Sequence, residues 1–133
     1  LGYTRGLFVH GLDGLDEISL LGKTRINEIK NGSITTYEIS PEDFGLTRCT
    51  LEDIATGTPE VNAGVIRDVF SGKNKGPRRE AVVINAGGAL YIGGKAGTFA
   101  EGIKLAEEII DSGAAQTKLN QLITASKDIA AVS

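Results

Sequence analysis

The chain has 133 residues, of which 41% are apolar, and its 17 acidic and 14 basic residues leave a formal net charge of −3 at pH 7. This length suits about one domain with a hydrophobic core, and such a balanced charge argues against nucleic acids and membrane surfaces as partners. No apolar run approaches the roughly 20 residues that cross a bilayer, and the N-terminus lacks the basic and long apolar regions of a signal peptide. The single cysteine, Cys49, suits a reducing compartment, so we expect a cytoplasmic protein.

The first predicted elements are a strand and an acidic loop. The apolar run Leu7-Phe8-Val9 indicates a short core strand over residues 5–9. Residues 10–22 then form what we call the acidic loop, which carries three carboxylates and two glycines between residues 10 and 17. The sequence contains no methionine, at its first position or elsewhere. We therefore expect the chain to be a piece of a longer protein whose N-terminal part is absent.

A β-hairpin is predicted next. Asn31-Gly32 lies between two candidate strands, 24–30 and 33–39, and supplies the two positive φ angles of a type I′ turn. This turn sets a register with two apolar pairs and one pair of opposite charges. The pairs are Ile29 with Ile34, Ile26 with Tyr37, and Arg25 with Glu38. A proline at position 41 then ends the second strand and is expected to begin a single helical turn.

The rest of the chain predicts about four helices. Thr58 and Pro59 are a typical helix start, and Thr98 with Glu101 forms a capping box. Apolar residues recur at helical spacing behind both starts. The predicted ranges are about 58–72, 77–92, 98–112 and 114–126. One strand and one hairpin do not complete the sheet of an α/β domain, so further strands are expected in the absent part.

Within the acidic loop, the adjacent carboxylates Asp16 and Glu17, the acid pair, are the strongest candidate site. Adjacent carboxylates repel each other unless a positive charge lies beside them, and Mg²⁺ is commonly held by one or two carboxylates together with water and phosphate oxygens. Ligand sites of open α/β sheets lie just beyond strand ends, where this loop is. A solvated acidic turn explains the same residues without any metal. Asp13 is ambiguous, since its side chain can serve simply to hydrogen-bond within the loop.

Other candidates have structural explanations. His10, the only histidine, can act in acid–base chemistry, but a satisfied structural histidine is the more common case. Cys49 is expected to be a small buried hydrophobic residue. Residues 85–89, with two glycines, lack the Gly-Lys-Ser/Thr ending of a phosphate loop and predict a closely packed helix instead. A basic stretch is expected to be a solvated loop and helix start, with phosphate binding as the alternative. It comprises Lys73, Lys75, Arg78 and Arg79.

Taken in order, several segments resemble the C-terminal part of the anthranilate phosphoribosyltransferases of tryptophan biosynthesis. The resemblance covers nearly the whole chain. The matching segments are Val9-His10-Gly11, Gly14-Leu15-Asp16-Glu17-Ile18-Ser19, Tyr37 to Leu46 with Pro41-Glu42-Asp43-Phe44-Gly45, Gly76-Pro77-Arg78-Arg79, Asn85-Ala86-Gly87-Gly88-Ala89-Leu90-Tyr91, Gly102-Ile103-Lys104-Leu105-Ala106, and Asp111-Ser112-Gly113.

The resemblance implies an α/β fold of the nucleoside phosphorylase and phosphoribosyltransferase type. Residues 1–133 would be part of its catalytic domain, without the N-terminal helical domain. The family transfers phosphoribosyl from phosphoribosyl diphosphate to anthranilate, and the full-length protein would be a homodimer. The resemblance further implies that the acid pair, Asp16 and Glu17, binds Mg²⁺ bridged to the diphosphate.

Only Asp16 and Glu17 carry over from the family's functional residues. The Gly-rich loop of Gly-Thr-Gly-Gly-Asp type and the anthranilate-contacting residues are not in this sequence, so we expect the isolated chain to be inactive. No side chain of the chain is needed as a covalent catalyst. Two alternatives stay open: an enzyme related to pyrimidine nucleoside phosphorylases, and a non-catalytic remnant or interaction domain.

Overall fold

The computed structural model of the chain describes residues 2–132. Within that range three strands precede a 3₁₀ turn and five helices. Their bounds are β1 (Arg5–Gly11), β2 (Thr24–Lys30), β3 (Ser33–Ile39), the 3₁₀ turn (Pro41–Phe44), α1 (Leu51–Ile54), α2 (Pro59–Phe70), α3 (Pro77–Ile92), α4 (Phe99–Asp111) and α5 (Ala114–Val132). In the described part of the chain, no helix combines the length and the apolar character needed to cross a bilayer. The α/β class and the four predicted helices, now α2 to α5, are confirmed.

The β-hairpin forms as predicted. Asn31 and Gly32 have φ angles of 52° and 77°, which are the left-handed values that a type I′ turn requires. β2 pairs antiparallel with β3, and all three predicted cross-strand pairs are present. The charged pair is joined by a contact of 3.3 Å between the Arg25 guanidinium and the Glu38 carboxylate. The register therefore follows from the turn and from the side-chain pattern together.

β1 lies at the edge of the sheet, antiparallel to β2, in the strand order β1-β2-β3. Alternate residues of a strand point to opposite faces. Leu7 and Val9 pack against the core, whereas Phe8 is 53% exposed and His10 is exposed as well. The prediction of a core strand is therefore wrong for one face of β1, because helices cover only the inner face of this sheet in the described range.

The core joins the inner face of the sheet to the helices. Ile26 of β2 and Ile84 of α3 are completely buried. The acidic loop, which spans residues 12–23 in the structure, contributes Ile18 and Leu20, with exposed fractions of 4% and 1%. The loop is therefore attached to the core by its own apolar side chains. Among the described residues, this core cluster comprises Ile18, Leu20, Ile26, Ile39, Val69, Val83, Ile84, Ile103, Ala106 and Ile110.

α3 and α4 approach each other closely at two glycines. A Cβ atom on Gly87 would lie 2.6 Å from Cγ1 and 2.7 Å from the backbone nitrogen of Ile103. A Cβ atom on Gly102 would collide with the carbonyl oxygen of Gly87. Both glycines are buried. The prediction that residues 85–89 form a closely packed helix, rather than a phosphate loop, is confirmed.

Helix starts also follow the sequence signals. The Thr98 hydroxyl accepts a hydrogen bond from the Glu101 amide at 3.2 Å, and the Glu101 carboxylate accepts one from the Thr98 amide at 3.0 Å. α1 was not predicted, although the Asp53 carboxylate accepts hydrogen bonds from both the amide and the hydroxyl of Thr50 at 2.8 Å. Its four residues are too few to show a helical repeat in the sequence.

Candidate functional site

The acidic loop begins with a tight backbone turn at the end of β1. The Gly11 amide donates to the Leu15 carbonyl at 2.9 Å, and the Gly14 amide donates to the Gly11 carbonyl at 2.9 Å. Gly14 adopts a φ of 103°, a value that L side chains rarely adopt. A Cβ atom on Gly11 would lie 2.7 Å from the Asp13 carboxylate. Both glycines are therefore required by the shape of the loop.

Asp13 is a structural residue of the acidic loop. One carboxylate oxygen accepts a hydrogen bond from the Leu15 amide at 3.1 Å, and the other accepts one from the Ser19 hydroxyl at 2.6 Å. Ser19 is 2% exposed, and its hydroxyl accepts a further bond from the Leu21 amide at 2.9 Å. Because both Asp13 oxygens are engaged within the loop, its ambiguous role is resolved in favour of loop structure.

The far end of the loop is bound to α3 through Asn85. The Ile18 amide donates to the Asn85 side-chain oxygen at 2.9 Å, and the Asn85 side-chain amide donates back to the Ile18 carbonyl at 2.9 Å. The same amide also donates to the Ala81 carbonyl at 3.0 Å. Both backbone groups of Ile18 are therefore held by one side chain of α3.

Between these two fixed ends lie Asp16 and Glu17, the acid pair. Both residues are exposed, and among the described residues no hydrogen bond or salt bridge reaches either carboxylate. Partial burial and the neighbouring Asp16 charge both raise the pKa of Glu17. Glu17 also lines a cleft of about 250 Å³ whose walls include Ile54, Val65 and Ala81. The acid pair therefore presents two adjacent carboxylates to the surface, with Glu17 at the cleft.

The donor set suits a hard divalent cation. Carboxylate oxygens are the ligands that Mg²⁺ prefers, and Mg²⁺ usually keeps water and phosphate oxygens as its remaining ligands. In the described part of the chain, no group of three or more His, Cys, Asp or Glu residues could hold a metal ion. Two carboxylates would leave the remaining positions of such an ion to water or to other oxygen atoms.

The other candidates lie apart from the acid pair or are already engaged. His10 is exposed on the outer face of the sheet, so the expectation of a satisfied structural histidine is not supported. Cys49 is half-buried, and burial raises the pKa of its thiol, which agrees with an unreactive packing residue. Arg78 donates to the carbonyls of Asp53 and Ala55 at 3.2 and 3.0 Å.

Arg79 departs from the expectation of a solvated residue. Its side chain is only 13% exposed, and its guanidinium contacts Asp111 at 3.0 Å and Glu107 at 3.6 Å. These two acids lie on α4, so Arg79 connects the start of α3 to the end of α4. Lys73 and Lys75 are exposed, as predicted. Asn85 was overlooked as a site residue, since its partner Ile18 is 67 positions away in the sequence.

Comparison with known proteins gives consistent similarities. Residues 1–116 match the model of a family described as glycosyl transferase family, a/b domain. The anthranilate phosphoribosyltransferase of Desulfosudis oleivorans is 53% identical to this chain, over 96% of the chain and 38% of that protein. The chain thus spans somewhat more than a third of this relative's length.

Solved structures agree with this similarity. The anthranilate phosphoribosyltransferase of Thermus thermophilus superposes with a TM-score of 0.81 at 40% identity, over 90% of this chain and 35% of that one. The Saccharomyces cerevisiae enzyme in complex with PRPP and Mg superposes with a TM-score of 0.84 at 30% identity, over 93% of this chain and 36% of that one. The fold of the present chain is therefore that of one part of these larger proteins.

Proposed function

We propose that this chain is part of an anthranilate phosphoribosyltransferase. The premise is that the chain belongs to the glycosyl transferase family, a/b domain, whose model matches residues 1–116. The reaction would transfer phosphoribosyl from phosphoribosyl diphosphate to the amine of anthranilate and release diphosphate. The relatives that match nearly all of this chain carry that name. The observation that carries the proposal is the acid pair, whose carboxylates have no hydrogen-bond or salt-bridge partner among the described residues, on a loop held in place at both ends.

The role proposed for Asp16 and Glu17 is to bind Mg²⁺. The yeast enzyme, which shares this fold, is described in complex with PRPP and Mg. Bound Mg²⁺ would neutralise negative charge that develops on the diphosphate as it leaves ribose C1. The chain itself supplies the two carboxylates and a loop that orients them. No residue of the chain is proposed as a nucleophile or as a proton carrier.

The remaining parts of the site are proposed to lie outside these 133 residues. The sequence has no Gly-Thr-Gly-Gly-Asp segment to bind the diphosphate. We therefore propose that the isolated chain is inactive and that activity belongs to a longer protein. A homodimeric state and a cytoplasmic location stay predictions for that longer protein.

The test is a double substitution of the acid pair in the longer protein, Asp16→Asn with Glu17→Gln. Both changes keep the size of the side chains and remove both negative charges. Stabilisation of the leaving group by a metal is worth several kcal/mol, and each 1.36 kcal/mol is a factor of ten in rate. We expect a fall of about 100-fold or more in kcat/KM, followed by anthranilate fluorescence with phosphoribosyl diphosphate and Mg²⁺ present.

The matched control is Glu52→Gln with Asp68→Asn. Glu52 and Asp68 are exposed on α1 and α2. The control therefore also removes one glutamate charge and one aspartate charge, but away from the acid pair. Undiminished activity in the Asp16 and Glu17 variant would refute the metal site. Consumption of a pyrimidine nucleoside and phosphate instead of anthranilate would favour the phosphorylase alternative, and no turnover of either substrate would favour a non-catalytic domain.

A further inference from the structure

Asn85 on α3 holds the backbone immediately after the acid pair. Its side chain bonds both the amide and the carbonyl of Ile18, each at 2.9 Å. We propose that Asn85 is a positioning residue for the acid pair, which sets the direction in which Asp16 and Glu17 present their carboxylates. This inference rests on the metal role proposed above and adds a residue 67 positions away in the sequence.

The first step concerns the length of free backbone. Leu15 is fixed by its carbonyl, which accepts from Gly11, and by its amide, which donates to Asp13. Ile18 is fixed by Asn85. Only two residues, the acid pair itself, lie between these fixed points. Their backbone therefore has little freedom as long as both ends are held, and loss of one end releases it.

The second step concerns the repulsion between the two carboxylates. Asp16 and Glu17 are adjacent in the sequence, and like charges at such short range repel each other. Without a rigid backbone this repulsion favours conformations in which the carboxylates point apart. Two ligands that point apart cannot share one ion, so metal binding gains from a backbone that is already held in the required shape.

The third step concerns the chemistry of the asparagine side chain. Asn85 uses one acceptor for the Ile18 amide and donates to the Ile18 and Ala81 carbonyls. Aspartate has the same shape but no donor when ionised, so it would place negative oxygen against two carbonyls. The Ile18 side chain, 4% exposed, keeps the loop on the core in either case. Asn85→Asp therefore alters the orientation of the Ile18 peptide while leaving the apolar contact.

The experiment follows Mn²⁺, a paramagnetic ion, in NMR titrations of the longer protein that contains this chain. The readout is the Mn²⁺ concentration that half-broadens the Asp16 and Glu17 amide signals, and the exchange rate of the Ile18 amide proton is measured in the same samples. Loss of a partner that orients metal ligands costs 10–100-fold in metal affinity. We expect Asn85→Ala and Asn85→Asp to require about 10-fold more Mn²⁺ and to accelerate Ile18 exchange.

Asn62 supplies a matched control. Its side chain bonds the amide and the carbonyl of Gly57 at 2.8 and 3.2 Å, so Asn62→Ala breaks the same kind of contact at another loop. Asn62 also lines the cleft beside Glu17. If loosening this region in general weakened Mn²⁺ binding, the titration of Asn62→Ala would therefore show it. We expect Asn62→Ala to leave the Mn²⁺ titration unchanged.

One further variant separates the possible failures. Asp16→Asn with Glu17→Gln should abolish the broadening, and broadening that persists there would refute the metal site itself. If that variant loses the ion while both Asn85 variants titrate like wild type, the positioning role is refuted and the metal site stands. An equal loss in Asn62→Ala would also refute a specific role for Asn85. If Asn85→Ala does not fold, Asn85→Asp, which keeps the side-chain volume, decides the question.

Discussion

Replacement of Gly87 by alanine tests whether the close approach of α3 and α4 determines stability. The added methyl carbon would lie 2.6 Å from the Ile103 side chain and 2.7 to 2.8 Å from its backbone atoms. Carbon atoms pack at separations of about 3.5–4.0 Å, so the two helices would have to separate by roughly 1 Å. A backbone cannot rotate out of the way as a flexible side chain can.

The magnitude follows from two opposing effects. Overpacking of a core costs about 1–3 kcal/mol, and the backbone contact at Ile103 places Gly87→Ala near about 3 kcal/mol. Alanine favours the helix by about 1 kcal/mol over glycine. We therefore expect Gly87→Ala to lower the free energy of unfolding by about 2 kcal/mol.

Gly64 in the middle of α2 gives the control with the opposite sign. A Cβ atom there would meet no other atom within 4 Å, so Gly64→Ala should raise the free energy of unfolding by about 0.5–1 kcal/mol. Urea unfolding followed by circular dichroism measures both variants. If Gly87→Ala is as stable as wild type, or is stabilised as Gly64→Ala is, the close approach of the two helices does not determine the stability of the protein.

Two further changes probe the acidic loop and the hydrogen bond of 3.0 Å that the Tyr37 hydroxyl donates to the Glu28 carboxylate. Ser19→Ala removes the partner of both Asp13 and the Leu21 amide, so the free energy of unfolding should fall by about 1–2 kcal/mol; an unchanged urea midpoint would contradict this. Burial and the hydrogen bond to Glu28 hold the pKa of Tyr37 above its ordinary value, so above pH of about 10 the unfolded chain loses a proton that the folded chain keeps. Stability should therefore fall as pH rises past that point, and Tyr37→Phe should make the fall above about pH 10 shallower; an identical pH dependence in the two proteins would refute the assignment.

Features set by neighbouring residues were predicted well from the sequence. The hairpin needs only Asn31-Gly32 and the alternation on either side, and the start of α4 needs only Thr98 and Glu101. These signals act over a few positions, so the sequence shows them directly. The adjacency of Asp16 and Glu17 is equally visible in the sequence, but their metal-binding role stays a prediction.

Features that depend on distant partners were not predicted. The exposure of Phe8 depends on what covers each face of the sheet, which the apolar run around it does not reveal. The burial of Arg79 depends on the acids of α4, about 30 positions later, at Asp111 and Glu107. The role of Asn85 depends on Ile18, which no local pattern connects to it. In each case a tertiary contact, and not a propensity, decides the outcome.

The segment from Asn85 to Gly88 shows how one short pattern can carry several tertiary contacts. Asn85 holds the Ile18 peptide, Gly87 admits α4, and Gly88 leaves room for Ile18, whose Cδ1 would lie 3.0 Å from an added Cβ atom. A stretch of asparagine, alanine and two glycines suggests a Gly-rich loop in the sequence, yet here all of these residues are helical. Because the acidic loop rests on the same stretch of α3 that α4 packs against, a change that separates the two helices should also disturb the acid pair. Stability and metal affinity should therefore fall together in Gly87→Ala, whereas Asn85→Asp should affect metal affinity more than stability.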